Sequence, residues 1–598
     1  MPEIALAPMP DEVRSATGVP RRSVVFGEAP HRCAGWLHGA RGRMGVVFCP
    51  PLGAEEECTH RTLLHVADAL AHRSMVALRF DFPGTGDSEG ERALDLRLGD
   101  WVAAVEAAAD FLRRQTGCTD VALIGVRLGA AVAATAAARA GASVLALWAP
   151  VGNGRAYARE LRAVAALGNS HAQTVSQLEV AGHLYPADFV DAVSALRAQD
   201  WDLKGVRRAL LLERDDVPPD QKLRDALRDS GIELDFRGFS GYSAMFDRPH
   251  DAELPTAAMA DLCDWMVARS GEVRAAPRGG ASSTPSQGSE GGEVELRTSD
   301  FRERHLTLAA DRRLTGVLCE PSGEHAIAPL LLLLNAGSVH HTGPGRLYTR
   351  LARELARSGI PSLRVNLSML GDAIVPGVVE ENDCYAAACR EDVLALMDDV
   401  RGRLGFRDMI LSGLCSGAYW ALQVALDPRA QGLRAVAMIN PLVIGHRPQG
   451  GRSTGREAAQ ALRYRQSMRS WAKWKKVFTL RAETGAALAV LARRAASVIA
   501  AGSRELARRF GLAAPNAVGM GLRSLRIRGV VVGLFVGATE PGYVLLRQEA
   551  PREVAEGLRT SAIRLYSMAD CDHTFTDEAA KQRLFLAFRT FVSDLRPS

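Results

Sequence analysis

The chain has 598 residues, 47% of them hydrophobic and 24% charged, and its 73 Lys plus Arg residues against 68 Asp plus Glu residues give a net charge of +5. This composition excludes a disordered chain, and its 56 glycines without a three-residue period exclude a collagen-like one. The length suffices for two large α/β domains.

The amino terminus lacks the basic and then apolar segments of a secretory signal, and no run of about 18 uncharged apolar residues occurs. We therefore expect a cytoplasmic protein. The 10 cysteines are scattered without CxxC pairs, which favours reduced thiols over a disulfide framework. The spacing of His31, His60, His340 and His341 is not typical of metal ligands. We therefore expect no metal, and we also expect no cofactor.

The first half of the chain alternates apolar strands with amphipathic helices. Residues 44–53 (MGVVFCPPLG) predict a strand and its loop, and residues 75–90 (MVALRFDFPGTGDSEG) a strand that runs into a glycine-rich loop. The glycine-rich loop lacks the Lys-Ser/Thr ending of a phosphate loop, so we interpret it as an ordinary connection. The strand VALIGV then meets the helix LGAAVAATAAARAG. This alternation is typical of a parallel sheet covered on both faces.

The same order of elements recurs in the second half. Residues 271–292 are dominated by Gly, Ser, Pro and Ala and predict a flexible linker. Beyond them, residues 328–337 (APLLLLLNAG) predict a strand, and RDMILSGLCSGAYWALQVAL a strand, a sharp turn and a helix. We therefore predict the α/β fold class, with two tandem domains of one fold at residues 1–270 and 293–598.

A nucleophile is predicted at Cys415. The sequence Gly413-Leu414-Cys415-Ser416-Gly417 lies between an apolar strand and a helix, which is the context of a G-x-Nuc-x-G elbow. Small flanking residues are needed because the nucleophile sits in a strained turn. The helix end beneath it favours a thiolate and a developing oxyanion. Two alternatives stay open: Cys415 is an inert buried thiol, or Ser416 is the nucleophile in a frame that lacks both flanking glycines.

Such a nucleophile needs a histidine base and an acid, and in this fold they follow it in the order nucleophile, acid, histidine. Glu540, at the end of the strand in GVVVGLFVGATEPG, is the predicted acid, and His573, before the last helix, is the predicted base. Asp570 and Asp572 are alternative acids, although they would share the loop of His573.

The oxyanion is expected to be held by backbone NH groups. The NH of Ser416 is one predicted donor, and the loop after the first strand of the second half supplies the other, around Gly337 or Ser338. His340 and His341 lie in that same loop, and we predict that they line the substrate pocket.

These motifs resemble the α/β-hydrolase superfamily over nearly the whole chain, in two copies. The resemblance is carried by GLCSG, NAGSVHHTGPGRLY and DHTF in the second half. In the first half it is carried by CPPLGAEEE, RFDFPGTGDSEG and GVRLGA, which are similar to hydrolases of bacterial exopolysaccharide and exosortase gene clusters. That resemblance implies a sugar or a lipid-linked glycan as substrate or acceptor. Cysteine at the elbow is also found in dienelactone hydrolases and polyhydroxyalkanoate synthases; polyester synthesis is disfavoured by the second hydrolase-like copy.

The first half departs from this pattern at its own elbow. Gly125-Val126-Arg127-Leu128-Gly129 keeps the glycines but has Arg127 at the nucleophile position, and a guanidinium cannot attack a carbonyl. We interpret this half as a pseudoenzyme domain used for packing, dimerisation or substrate presentation. Alternatively, Arg127 binds a carboxylate or phosphate of the substrate. Acid and base positions of this half are assigned to Asp215 or Asp216 and to His250.

A basic segment interrupts the second half. Residues 447–528 contain 18 Lys plus Arg residues against 3 Glu residues, a net charge of +15, in a region predicted as a helical cap over residues 444–528. Aromatic residues are interleaved with these cations, as in Trp471, Lys473 and Trp474. The cap is interpreted as a site for an anionic substrate, an acidic acyl-carrier protein or coenzyme A, as a contact with anionic membrane, or as a solvated lid. Without a recognised module, nucleic-acid binding is not favoured.

The sequence therefore predicts an esterase, thioesterase or acyltransferase acting through an acyl-Cys415 intermediate. The competing hypothesis is a non-catalytic binding or scaffold protein that uses the basic cap. The two differ in the reactivity of Cys415, which only the enzyme needs to activate.

Overall fold

A computed structural model describes most of the chain. The described residues are 12–15, 17–90, 96–167, 177–270, 295–309, 314–323, 328–373, 381–445 and 516–595. The predicted linker at 271–292 lies outside them, as does the predicted cap except for its two ends.

The N-terminal half is built on a sheet of nine strands with helices between them. Its strands, with one separate hairpin (β8 and β9), are β1 Glu12–Arg14, β2 Pro20–Phe26, β3 Cys33–His38, β4 Met44–Cys49, β5 Val76–Phe80, β6 Asp120–Val126, β7 Ala142–Trp148, β8 Gln177–Val180, β9 His183–Pro186, β10 Arg208–Arg214 and β11 Glu233–Phe239. Its helices are α1 Ala54–His72, α2 Leu98–Thr116, α3 Leu128–Ala136, α4 Gly154–Leu167, α5 Ala187–Ala195, α6 Gln221–Asp229, α7 Tyr242–Met245 and α8 Thr256–Ser270.

The C-terminal half contains a second nine-stranded sheet. Its strands are β12 Glu295–Arg297, β13 Phe301–Leu308, β14 Leu314–Pro321, β15 Leu330–Leu334, β16 Ser362–Asn366, β17 Met409–Leu414, β18 Leu433–Ile439, β19 Val531–Gly537 and β20 Ile563–Met568. Its helices are α9 Leu347–Arg357, α10 Ala388–Gly402, α11 Ser416–Ala425, α12 Ala517–Ile527, α13 Gly542–Glu549, α14 Pro551–Arg559 and α15 Glu578–Ser593.

The two sheets have the same strand order. The first runs β1-β2-β3-β5-β4-β6-β7-β10-β11 and the second β12-β13-β14-β16-β15-β17-β18-β19-β20. In each, three antiparallel strands lead into six parallel ones. The central strands are buried because both faces of each sheet are covered; Leu330–Leu334, for example, is apolar and buried at every position. The prediction of an α/β fold is confirmed.

The two halves pack against each other through buried polar groups. Arg346, at the start of α9, enters the glycine-rich loop of the N-terminal half, where its guanidinium donates hydrogen bonds to four carbonyl oxygens. The acceptors are Gly84, Gly86, Ser88 and Gly90. The loop at residues 83–90 therefore binds an arginine of the other half.

In the part of the chain that the structure describes, no helix combines the length and the apolar character needed to cross a bilayer.

Candidate active site

Cys415 occupies a strained turn between β17 and α11. Its φ is 58° and its ψ is −108°, a backbone conformation that side chains larger than glycine rarely adopt. The flanking glycines are required by close contacts: a Cβ on Gly413 would lie 2.6 Å from the Cα of Gly417, and one on Gly417 would lie 2.7 Å from the carbonyl oxygen of Leu334. The sequence thus folds into the sharp elbow that its glycine spacing predicts.

The predicted acid and base lie together beside this elbow. Glu540 follows β19 and His573 follows β20, and the Nδ1 of His573 is 2.9 Å from Oε2 of Glu540. The alternative acid Asp572 has other partners, because its carboxylate accepts hydrogen bonds from the NH and the hydroxyl of Thr576. Asp570 contacts Arg583 through its carbonyl oxygen.

The opposite ring nitrogen of His573, Nε2, is buried and completes no hydrogen bond with a described residue. Burial disfavours the charged imidazolium, but interactions with Cys415 and Glu540 outweigh it and raise the pKa of His573 to about 10. Cys415 and Glu540 therefore both favour a proton on this imidazole.

Asn440, a residue that the sequence analysis did not single out, joins the acid and base loops. It is fully buried after β18, and its amide nitrogen donates to the carbonyl of His573 at 2.9 Å. Its amide oxygen accepts a hydrogen bond from the NH of Gly537, also at 2.9 Å, at the end of the strand that leads to Glu540. Asn440 therefore fixes the spacing of the two loops.

An aromatic cluster borders Cys415 on the side of α10. Tyr385 interacts with the thiol of Cys415, and burial, followed by the charges of Cys415 and Cys384, raises the pKa of its phenol well above the usual range. Its ring lies 5.6 Å from that of Tyr419, which in turn packs against Trp420. No sequence motif marked Tyr385, because only tertiary packing brings it to the elbow.

The predicted oxyanion loop contacts the elbow through a side chain. The NH of Gly337 donates to the hydroxyl of Ser416 at 2.9 Å, and this hydroxyl donates to the carbonyl of Asn335. Ser338 donates its hydroxyl to the carbonyl of Asn382. The NH of Gly337 is thus bonded to Ser416 and would have to exchange that partner to hold an oxyanion. The buried hydroxyl of Ser416 serves as a bridge between the two loops.

His340 and His341 lie at the contact between the two halves. Nε2 of His340 is 3.4 Å from the carboxylate of Glu56, and Nε2 of His341 is 2.5 Å from that of Asp87. Both histidines are buried, and their recorded partners include acids of the N-terminal half. These contacts do not add support to the predicted pocket-lining role.

The first-half elbow has the same backbone but different contacts. Arg127 donates to the carboxylates of Glu55 at 2.8 Å and Glu160 at 2.9 Å, so a substrate anion would have to displace them. The candidate acids and base of this half each contact a residue other than one another. Asp215 accepts from the NH of Gly241, Asp216 pairs with Arg214, and His250 lies beside Asp251.

One family model matches part of the chain. Residues 53–202, in the N-terminal half, match the family model described as Serine aminopeptidase, S33. The matched residues include the elbow with Arg127 and stop short of Cys415. A search of curated proteins found no match.

Solved structures of hydrolases are similar to parts of the chain. Est1E from Butyrivibrio proteoclasticus is 15% identical with a TM-score of 0.32, covering 41% of this chain and 98% of its own. XC6422 from Xanthomonas campestris, a serine hydrolase without a lid, is 16% identical with a TM-score of 0.29, covering 45% and 100%. A dienelactone hydrolase from Anabaena variabilis is 10% identical with a TM-score of 0.29, covering 50% and 99%.

Proposed function

We propose that the C-terminal half is an acyl-transferring hydrolase in which Cys415 is the nucleophile, His573 the general base and acid, and Glu540 the group that orients His573. The observation that carries this proposal is the 2.9 Å contact between Glu540 and His573 beside the strained elbow of Cys415. Three groups from separate parts of the chain meet there, and they are the nucleophile, the base and the orienting acid that nucleophilic catalysis uses. The N-terminal half is proposed to be non-catalytic.

The reaction is proposed to begin with the proton already on His573, whose pKa is raised to about 10, and with the sulfur of Cys415 as the nucleophile. The thiolate attacks the carbonyl carbon of an ester or thioester, and the carbonyl electron pair moves onto oxygen. Backbone NH groups near the elbow, those of Ser416 and Gly337, are proposed to stabilise this oxyanion. Collapse of the intermediate breaks the bond to the leaving alkoxide or thiolate, which takes the proton from His573, and an acyl-Cys415 thioester remains.

The second half of the cycle releases the acyl group. His573 takes a proton from water, an alcohol or an amine, which attacks the thioester carbonyl. Cys415 leaves as a thiolate beside the protonated His573, which restores the starting state. A thioester keeps much of its acyl-transfer potential, so hydrolysis and transfer are both consistent with this chemistry.

The proposed substrates are acyl esters and thioesters, including those of coenzyme A or an acyl-carrier protein. The basic sequence of residues 447–528 supports an anionic carrier by its charge alone, since most of it lies outside the described residues. A glycan acceptor is supported only by the sequence resemblance to exopolysaccharide-cluster hydrolases.

Selective alkylation tests the proposal. The wild-type protein is treated with less than one equivalent of iodoacetamide, and the labelled peptides are mapped by mass spectrometry beside Cys415→Ala and His573→Ala. Cys384 and Cys571 are internal controls, because burial raises the pKa of these thiols to about 12 and about 11. We expect the label on Cys415, and we expect it to be lost in His573→Ala.

Uniform slow labelling of the 10 thiols would contradict the proposal and favour the scaffold hypothesis. A positive result is followed by intact-mass detection of the acyl-enzyme with p-nitrophenyl acetate and with acetyl-coenzyme A. An adduct on wild type that is absent from Cys415→Ala establishes the intermediate and shows which leaving group is accepted.

A further inference from the structure

A large cleft lies between the two halves of the molecule. Its volume is about 850 Å³, which is within the range of about 300–1,000 Å³ that small-molecule pockets occupy. The N-terminal half contributes the glycine-rich loop, the start of α2 and the β8–β9 hairpin. The C-terminal half contributes the segment between β12 and β13, one face of α9 and the first turns of α15. Both halves are therefore needed to form this cleft.

One face of α9 supplies a row of arginines to the cleft. Arg346, which immediately precedes the helix, is followed by Arg350, Arg353 and Arg357 at intervals of three or four residues. This spacing places side chains on one face of a helix. Three of the four arginines have carboxylate partners, which are Glu578 for Arg350, Glu303 for Arg353, and Asp300 and Glu354 for Arg357. The charges of these three are thus neutralised locally.

Arg346 differs from the others in having only backbone carbonyls as hydrogen-bond acceptors. Its side chain is 9% exposed, and its four acceptors all belong to the glycine-rich loop. Nε has one of these acceptors and Nη1 two, whereas Nη2 has only the carbonyl of Ser88. One N–H of Nη2 therefore has no recorded acceptor in the part of the chain that the structure describes.

The nearby acids do not offset the charge of Arg346. Asp87 and Glu303 attract it, but both also pair with Arg364, and Glu303 pairs with Arg353 as well. Three buried arginines thus share two carboxylates. Burial, together with repulsion by Arg353, lowers the pKa of Arg346 well below its usual range. Because a guanidinium keeps its proton in a protein, this group retains an excess of positive charge that a bound anion would offset.

The acids that line the cleft already have basic partners. In each of them a carboxylate oxygen lies 2.5–3.7 Å from a nitrogen of an arginine or a histidine. These acids are Glu89, Asp100, Asp300, Glu354 and Glu578. Paired in this way, they repel an anion at Arg346 less than unpaired carboxylates would.

The cleft also has an apolar surface. The N-terminal half contributes Leu96 and Leu184 to its lining, and the C-terminal half contributes Phe301 and Phe585. We propose that the cleft binds one small organic anion, a carboxylate or a phosphate monoester carried by an apolar chain or ring. The anionic group contacts Arg346, since a guanidinium suits both kinds of anion, and the apolar part lies against these leucine and phenylalanine side chains.

This inference does not rest on the proposed acyl transfer. None of Cys415, Glu540 and His573 lines the cleft. Binding is also measured with compounds that carry no ester, so it requires no turnover.

The test is calorimetric titration of the full chain with octyl phosphate, octanoate, octanol and inorganic phosphate. We expect octyl phosphate and octanoate to bind at one site per chain, and the tighter of the two identifies the anionic group. Octanol lacks the charge and inorganic phosphate lacks the apolar chain, so each should bind at least about tenfold more weakly. Octyl phosphate should not slow the alkylation of Cys415 by iodoacetamide, because the cleft is separate from the elbow.

Two substitutions at Arg346 test the anion contact. Arg346→Gln removes the charge and should weaken the binding of octyl phosphate by about tenfold or more. Arg346→Lys keeps the charge without the planar fork and should recover part of the affinity. Circular dichroism establishes that each variant is folded.

A surface substitution keeps the test decisive if Arg346→Gln does not fold. Gln582 is an exposed residue of α15 in the lining, and Gln582→Glu adds a carboxylate there, which should weaken binding by about threefold to tenfold. Gln221→Glu is the matched control, because it makes the same change at an exposed position of α6 outside the cleft. This variant should bind octyl phosphate as the wild type does.

The proposal is overturned if neither octyl phosphate nor octanoate binds to the wild type, or if octanol or inorganic phosphate binds as tightly as they do. Unchanged affinity in the folded Arg346 and Gln582 variants would also contradict it. Protection of Cys415 from iodoacetamide by octyl phosphate would place the anion at the candidate active site instead of the cleft.

Discussion

The elbows of the two halves share a backbone and differ in their side chains. Arg127 has φ 52° and ψ −118°, and Cys415 has φ 58° and ψ −108°. Their NH groups donate to equivalent carbonyls of the next strand, Trp148 at 3.0 Å and Ile439 at 3.1 Å. The strained turn therefore forms with either side chain, because the flanking glycines and the sheet determine it.

The halves differ more at the next strand. Ala149 and Asn440 follow β7 and β18 with positive φ values of 46° and 40°. The amide of Asn440 joins the loops of Glu540 and His573, whereas a methyl group at Ala149 offers no hydrogen bond. The comparison shows that the fold is common to both halves, while a few polar side chains assemble the candidate site in one of them.

The largest expected effect is that of Cys415→Ala. Without the thiol no acyl-enzyme forms, and we expect esterase activity to fall on the order of 10³-fold or more. Arg127→Ala should leave activity within about twofold at a temperature where both variants are folded, because Arg127 contacts acids of its own half. Esterase rates with p-nitrophenyl acetate measure both. Loss of activity in Arg127→Ala alone would show that the catalytic half had been assigned wrongly.

Replacement of the acid is expected to have the next largest effect. The pKa of His573, raised to about 10, keeps its proton available until the pH rises through that value, so acylation should decline above about pH 10. In Glu540→Gln the loss of a negative partner lowers this pKa. The decline of acylation at high pH should then begin at a lower pH than in the wild type. The acylation rate at pH 7 should fall on the order of 10²-fold.

A pH series of acylation rates for wild type and Glu540→Gln measures this shift. The isosteric change Asp572→Asn is its control, since that carboxylate binds Thr576 rather than His573. If acylation by Glu540→Gln declined at the same pH as acylation by the wild type, the proposed role of Glu540 would be contradicted.

Asn440→Ala makes the C-terminal half resemble the N-terminal half at this position. The NH of Gly537 and the carbonyl of His573 would lose their partner, which we expect to reduce unfolding free energy by about 1–3 kcal/mol. Because the acid and base loops would no longer be held at one spacing, acylation should slow by about tenfold. Urea denaturation and acylation rates below the transition separate the two effects. Wild-type acylation by the folded variant would show that Asn440 is only structural.

The sequence predicted the parts of the site that depend on local spacing. The elbow followed from Gly413 and Gly417, and the acid and base positions from the ends of apolar strands. The hydroxyl of Ser416 accepts a hydrogen bond from the NH of Gly337. This contact could not be predicted, because Gly337 lies in a loop 79 residues away in the chain. Tyr385 and Asn440 were missed for the same reason.

The contacts between the two halves could not be predicted from the sequence either. His340 and His341 were assigned to a substrate pocket on the basis of their loop alone. Their partners Glu56 and Asp87 are more than 250 residues earlier in the chain, and no periodic pattern indicates which surfaces of two domains meet.

Arg127→Cys tests whether a nucleophile alone would make the first half active. The thiol would stand on the same strained backbone, but His250 is paired with Asp251 and the acids Asp215 and Asp216 have other partners. We expect the new cysteine to be alkylated no faster than the control thiols.

The same variant should be less stable than the wild type. Glu55 and Glu160 would lose the guanidinium that pairs with them, which we expect to lower the unfolding free energy by about 2–3 kcal/mol. Arg127→Lys is the control, because it keeps the charge and should recover part of this loss. Rapid alkylation of Arg127→Cys would mean that a base reaches the first elbow after all, and that the halves differ in one side chain rather than in the assembly around it.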